Sequence, residues 1–368
     1  MTVAADFIVA IIDRPDDDLP RLVFADYLEE AGDIARAEFI RVQCELARLP
    51  VDHPDRGVVA DRERELLAAH KNEWKVPGLR GKQEFRRGFV EVIKTTADWL
   101  LAAASQAFAT TPVRELRVYN AGHDQIEALA RLPGLERIEA LDLSNGLGYG
   151  GALVAFFATA RLTALRRLVM RNNILWPNVL EQLAAAPATR GLESLDLSGN
   201  PIGDAGAAVL AGAPAFAGLT ELIVRSDELD FADCIHATGT EALARSRTLT
   251  RLRKLDLRGH YVGDAGLINL ATSEFAQPLV ELDLSNNDIG VLGERGFEEL
   301  VGSAELLNLR QIALGGTRNQ VSVLAARELA GWDRLGQLER VDLRGAQFGS
   351  GATEIVRESR WADRFVLD

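Results

Sequence analysis

The chain has 368 residues, of which 47% are hydrophobic and 26% charged, the mix of a globular protein with ample material for a buried core. Its 41 basic and 54 acidic side chains leave a formal charge of −13, a field that repels phosphate backbones and argues against nucleic acid as the main partner. The longest apolar runs, such as Trp99 to Ala104, are too short for a bilayer, and two cysteines, Cys44 and Cys234, build neither a disulfide scaffold nor a cysteine-rich zinc module.

The start MTVAADFIVAIIDRPDDD is acidic and lacks both a basic n-region and a cleavage site, so a cytoplasmic protein is expected. The first eighty residues read as helices over Ala4 to Asp13, Pro20 to Ala31, Ala35 to Leu49 and Asp61 to Trp74, with Pro20 and Gly32 framing the second. Leu22, Val23, Tyr27, Phe39, Ile40, Leu46 and Leu49 recur at helical spacing and form a small core, in which Cys44 fits as a small buried hydrophobe. The simpler reading is a helical domain over residues 1–82 that covers the exposed first strand of a repeat array beginning at residue 83. The alternative is an acidic docking face made by Asp16, Asp17, Asp18, Asp26, Glu29 and Glu30.

From residue 83 to the end the chain repeats itself. LESLDLSGNPIGDAGAAVLA at Leu192 recurs as LRKLDLRGHYVGDAGLINLA at Leu252 and LVELDLSNNDIGVLGERGFEEL at Leu279. The first leucine of each L-x-L core falls at Leu116, Leu141, Leu168, Leu195, Leu222, Leu255, Leu282, Ile312 and Val341, with Val90 as a weaker first member. The steps are 26, 25, 27, 27, 27, 33, 27, 30 and 29, which makes about ten units including a C-terminal cap. The alternation Leu195-Asp196-Leu197 marks a short strand, the turn carries Asn200 or Asn287, and the aspartates of Gly203-Asp204 and Gly263-Asp264 are expected to cap the helices that come next. One strand and one helix cannot close a core. Stacked copies share one, with parallel strands lining the inside of a curve and helices the outside, and the last helix is expected near Gly351 to Trp361.

The pattern L-x-x-L-x-L-x-x-N, met in full by Leu192, Leu195, Leu197 and Asn200 and again by Leu279, Leu282, Leu284 and Asn287, resembles the leucine-rich repeat superfamily. The long period with a full helix is similar to its ribonuclease-inhibitor-like subclass. That resemblance implies an α/β horseshoe solenoid with a concave parallel sheet. The asparagine position holds Ala121, Gly146, Asp227, His260, Thr317 and Ala346 elsewhere, so the asparagine ladder is expected to be interrupted there. Residues 7–49, with FRRGFVEVI at Phe85 to Ile93, resemble the short bacterial repeat-companion domain, a resemblance that implies no particular activity.

No H-E-x-x-H, G-x-S-x-G, Walker A or strand-to-helix G-x-G-x-x-G occurs, and five histidines are scattered, so no enzyme activity, cofactor or metal is expected. GLGYGG at Gly146 to Gly151 sits where repeat turns routinely carry glycine. The unit at Leu219 is six residues longer than its neighbours, near RSDELDFADCIHATG. Its Asp230, Asp233, Cys234 and His236 are metal-capable types without a clean spacing, and a rim loop over Asp227 to Gly239 reads better as a partner contact or a tolerated insertion. The inward column of the strands is Glu91, Arg117, Asp142, Val169, Asp196, Ile223, Asp256, Asp283, Ala313 and Asp342, an acidic spine edged by Arg171, Arg225, Arg258 and Arg344. The expected function is non-enzymatic binding of a protein partner, with a basic segment as one option, by a monomer away from membranes. The binding residues expected are the rim loop and Asp142, Asp196, Asp256, Asp283, Asp342, Arg171, Arg225 and Arg258. The alternative is a regulator of a GTPase or other nucleotide-hydrolysing enzyme.

Overall fold

The computed structural model describes residues 3–145, 150–226 and 230–368. They form two compact units, one running to Leu143 with Thr159–Leu165 added, the other made of Ser144–Ala158 and Arg166–Asp368.

In the first unit four helices come first: α1 (Val3–Asp13), α2 (Asp18–Glu30), α3 (Ile34–Arg48) and α4 (Arg56–Trp74). Asp17 caps α2 by accepting the N–H of Leu19, so the helix begins two residues before Pro20, which sits in the first turn where its missing N–H costs nothing. Gly32, at φ +90°, turns the chain, and Asp33 caps α3 through the N–H of Arg36. Next comes a hairpin of β1 (Lys82–Arg86) and β2 (Phe89–Thr96), joined by Arg87 and Gly88, both with positive φ. A Cβ on Gly88 would stand 2.5 Å from Ile40, so only glycine lets the turn reach α3. The unit continues with α5 (Ala97–Thr110), β3 (Glu115–Tyr119), α6 (His123–Ala130) and β4 (Ala140–Asp142).

β2, β3 and β4 are parallel, with Ile93 opposite Leu116 and Leu116 opposite Leu141. The first core position is therefore Ile93, three residues beyond Val90. The inward residue of that strand is Lys94, in register with Arg117 and Asp142. Glu91, expected in the acidic column, lies elsewhere: it is buried and takes a 2.8 Å hydrogen bond from Arg21 Nη2. The free edge of β2 is covered by β1. The helices pack behind the hairpin through two cores, Ile11, Phe24, Ala25, Ala37, Ile40 and Cys44 with Phe89, and Phe39, Val42 and Leu66 with Phe85. Asp16 pairs with Arg87 and Arg114, and Arg41 holds Asp26 and Glu29, so those acidic side chains serve contacts within the chain.

The second unit alternates α7 (Gly151–Thr159), β5 (Arg167–Val169), α8 (Pro177–Ala185), β6 (Ser194–Asp196), α9 (Gly203–Gly212), β7 (Glu221–Ile223), α10 (Ala237–Ala244) and β8 (Lys254–Asp256). It continues with α11 (Gly263–Ala271), β9 (Glu281–Asp283), α12 (Arg295–Gly302), β10 (Gln311–Ala313), β11 (Gln320–Val321), α13 (Val323–Gly331) and β12 (Arg340–Asp342). It ends with β13 (Gln347–Phe348), α14 (Ala352–Arg357) and β14 (Phe365–Val366). Strands β5 to β10, then β12 and β14, pair in parallel in chain order, and the core leucines stay in register from Leu168 through Leu195, Leu222, Leu255 and Leu282 to Ile312 and Val341. The chain thus closes on a strand, β14, placed after the short helix expected to be last. The architecture is α/β, a leucine-repeat solenoid whose leucines meet one another beneath the sheet.

Two expectations about the turns are corrected. Asp204 does not cap its own helix: its Oδ1 accepts the N–H of His236 at 2.7 Å and of Gly239 at 2.9 Å, at the start of α10 one repeat on. Asp264 likewise accepts the N–H of Gly290 in the next repeat. The polar ladder also continues past two departures from asparagine. Asn200 donates to Met170 and Leu197 carbonyls and accepts from Asn173 and Leu175, all without exposure to water. At the Thr317 unit, two extra turn residues move the asparagine to Asn319, which accepts from Asn287 and Ile289 and donates to Leu284 and Leu314. In the unit of Leu255, His260 replaces it: its Nδ1 accepts from Ile235 N and its Nε2 donates to Val224 O at 2.8 Å.

Candidate functional site

The open face of the strands in the second unit carries seven of the eight expected binding residues, and Asp142 lies on β4 of the first unit. Strands β5 to β10 and β12 are each three residues long, with the outer residues on the open face and the central leucine, isoleucine or valine in the core. That alternation brings Asp196, Ile223, Asp256, Asp283, Ala313 and Asp342 into one row, at a spacing of roughly 4.8 Å between strands.

The row is not a bare acidic spine. Asp196 and Asp256 are almost wholly buried, at 2% and 1% exposure, because an arginine from the preceding repeat lies over each. Arg171 reaches Asp196 at 2.5 Å, and Arg225 reaches Asp256 at 2.6 Å. Asp342 is clasped by Arg340 at 2.7 Å and Arg344 at 2.5 Å. Burial by itself would raise its pKa, yet the hydrogen bonds of those two guanidinium groups hold it down to about 2. Burial raises the pKa of Asp256, and the charge of Asp283 beside it works in the same direction against Arg225. Repulsion down the column is therefore largely neutralised within the protein.

One rung is open. By the same offset Arg258 should cover Asp283. Instead Arg258 is exposed and, among the described residues, neither side chain makes an ion pair; Asp283 accepts only the N–H of Ser285. Beside this rung lies a depression of about 210 Å³, floored by Leu255, Leu282 and Ile312 and bordered by Asp256, Asp283, Gln311, Ala313, Arg340 and Asp342. It is there because position 313 of the row carries a methyl group where its neighbours carry carboxylates. Sequence reasoning did not single out Ala313, since alanine brings no chemistry of its own, nor Lys254, which lies 3.1 Å from Glu221 and 3.4 Å from Glu281.

Of the rim loop, residues 227–229 lie outside the described part. Of the remainder, Asp230 to Ala232 are exposed, while Cys234 and Ile235 are buried. Cys234 is buried with its Sγ 3.1 Å from Ser226 Oγ, and burial raises its pKa. Phe231 stands 60% exposed with its ring against His236 and Tyr261, and Arg318 lies 3.7 Å over the Tyr261 ring. Among the described residues no group of three His, Cys, Asp or Glu side chains is placed to hold a metal ion. Residues 146–149 of the glycine-rich turn are likewise outside the described part, while a Cβ on Gly150 would stand 2.7 Å from Val179. Burial pushes the Cys44 thiol up to about 12, which removes it as a nucleophile near neutral pH. Among the described residues no helix is long and apolar enough to cross a membrane.

The chain contains leucine-rich repeats: the family described as Leucine Rich repeat matches residues 192–211, 248–271 and 276–293. No curated protein matches the sequence. Among solved structures, the chain is similar to one in the Rad7 and Elc1 complex of yeast, at 14% identity and a TM-score of 0.46 over 100% of this chain and 98% of that one. It is also similar to an internalin of Listeria monocytogenes, at 17% identity and a TM-score of 0.43 over 73% of this chain and 69% of that one. A third likeness is to the TLR13–ssRNA13 complex, at 17% identity and a TM-score of 0.39 over 64% of this chain and 30% of that one.

Proposed function

We propose that the protein is a non-enzymatic scaffold that binds a partner protein on the open strand face of its second unit. The observation that carries this reading is the open rung at Arg258 and Asp283 beside the depression at Ala313. Every other carboxylate in the row of the second unit is already held by an arginine, whereas these two opposite charges present themselves to solvent next to a recess that fits one side chain. A partner lysine or arginine placed in the recess meets Asp283, and a partner carboxylate meets Arg258, which fixes register as well as attraction. The repeat architecture supports it too, since stacked repeats present extended surface and none of the described clusters combines a nucleophile, a base and an oxyanion donor.

In this reading residues 1–82 cap the repeat domain of residues 83–368 and the exposed Phe231 adds a rim contact. The period near 27 residues with a helix in each unit supports the ribonuclease-inhibitor-like subclass, and residues 7–49 with 85–93 support the bacterial repeat-companion domain. The net charge of −13 favours a protein partner over nucleic acid. The experiment is affinity capture with the wild-type chain beside an Asp283→Lys, Ala313→Trp variant, then calorimetry of each captured protein in purified form. A partner held by the wild type and lost by the variant supports the proposal; equal affinity for both refutes this face. A captured protein whose nucleotide hydrolysis changes on adding the chain would make the scaffold a regulator of such an enzyme.

A further inference from the structure

Arg36 is a cation without a counter-ion. It sits on α3 among the rings of Phe39, Trp74, Phe85 and Phe89, with its guanidinium carbon 5.0 Å to 5.8 Å from the four ring centres. It makes no salt bridge among the described residues, and its Nη1 is shut off from solvent with no hydrogen-bond partner. The neighbouring arginine Arg21 differs in having a counter-ion: Glu91 and three backbone carbonyls take its two terminal nitrogens, and only its Nε is left without a partner. Burial pulls the pKa of Arg36 down to about 10, with only Asp33 acting against it. A guanidinium left so is costly, because aromatic faces compensate only part of its lost hydration.

Beside it opens a cavity of about 410 Å³ within the first unit. Its walls are apolar where it is deep, with Ile8 of α1, Phe24 and Leu28 of α2, Val76, and Phe89 and Val90 of β2. Its mouth is polar, with Lys75, Glu73, Gln106 and Thr110. Asp33 and Glu73 are the acidic groups lining it, and both are engaged: Asp33 accepts the N–H of Arg36, and Glu73 lies 3.1 Å from His70. Lys75 and Arg36 balance them in charge.

We propose that this cavity binds a small monocarboxylate with an aliphatic body, whose carboxylate accepts from Arg36 and whose chain lies against Phe24, Leu28 and Val90. An apolar body alone would leave the Arg36 guanidinium without a counter-ion, and a compact anion such as inorganic phosphate would leave the apolar walls wet. The volume lies within the range of small-molecule pockets. Binding here would also tie α1, α2 and α3 to β2 and α5, so occupancy should stiffen the first unit.

The test is calorimetric titration of the full chain with octanoate, 1-octanol and acetate. Octanoate should bind saturably and about tenfold or more tighter than octanol, the worth of a charge-assisted hydrogen bond, with acetate weaker than both. Arg36→Gln should abolish the preference for octanoate, and Thr110→Trp, at the exposed rim, should weaken octanoate without altering the circular dichroism. Equal affinity for octanoate and octanol, or no saturable heat from octanoate, would overturn the proposal. If Arg36→Gln does not fold, the comparison on the wild-type chain still decides it.

Discussion

The carboxylate of Asp204 accepts the backbone N–H of Gly239 at 2.9 Å from one repeat to the next, and a Cβ at position 239 would lie 2.5 Å from the same oxygen. Asp264 comes equally close to Gly296, with 2.5 Å between its Oδ1 and a Cβ at 296, but the N–H it accepts is that of Gly290. Asp204 thus joins neighbouring helices by capping the later one. Glycine is required there for close approach, since neither Gly239 nor Gly296 has a positive φ.

Asp204→Ala should therefore lower stability by about 1 to 2 kcal/mol, with the loss falling on the junction between α9 and α10. Gly239→Ala should cost a similar amount, and the double variant should lose less than the sum, since both changes remove one contact. Urea denaturation of the four proteins reads this directly. Additive losses would place the two residues in separate roles.

His260 provides a pH signature. The Ile235 N–H donates to Nδ1, so the ring is neutral and carries its proton on Nε2, and burial pushes its pKa down to about 4 from an ordinary 6.5. Between these values the unfolded chain takes a proton that the folded chain refuses. Its contribution is complete above pH 6.5 and is lost as pH falls towards 4, by up to about 3 kcal/mol. His260→Asn should fold and show a shallower acid slope over that window. An unchanged slope would mean that the histidine is not the group being titrated.

Arg21 and Glu91 form a buried ion pair between α2 and β2. Burial pulls the pKa of Arg21 down and that of Glu91 up, so each depends on the other to stay charged. Glu91→Ala should destabilise the first unit by about 3 to 5 kcal/mol. An Arg21→Met, Glu91→Leu double variant should recover much of that loss. Failure of the double variant to recover would assign the effect to the backbone carbonyls that Arg21 also holds.

The period-27 leucines, the short strands and the helix after each turn could be read from the chain because each is written in local alternation. Register at the first strand could not, since Val90-Glu91-Val92 offers the apolar alternation while the segment in register, Ile93-Lys94-Thr95, puts a threonine at the second core position, and Glu91 is taken by Arg21, seventy residues upstream. Asn319 and His260 were hidden for a related reason. A ladder position is defined by which carbonyls and N–H groups it reaches, and an imidazole or a shifted asparagine reaches the same ones. The acidic row was visible as a pattern, but its neutralisation by Arg171 and Arg225 depends on an offset of one repeat that only stacking creates.

That offset separates two aspartates that look alike in sequence. Asp256 is buried under Arg225, so Asp256→Asn removes a charge-assisted contact and leaves the guanidinium with a weaker acceptor; a loss of about 1 kcal/mol is expected. Asp283 is half-buried, holds no arginine among the described residues, and raises the pKa of Asp256 by its proximity. Asp283→Asn should therefore leave stability unchanged or slightly improved, while lowering the pKa of Asp256 by removing a like charge. The two variants should also part company in binding. Arg225 screens Asp256, so loss of Asp256 should act on recognition only through the fold, whereas in the proposed complex Asp283 meets the partner directly and its loss should slow association most at low salt. Thermal melts of both variants and the salt dependence of the on-rate for a captured partner check this. A partner that ignores Asp283→Asn while losing affinity to Asp256→Asn would move recognition off the open rung and onto the arginines that cover the row.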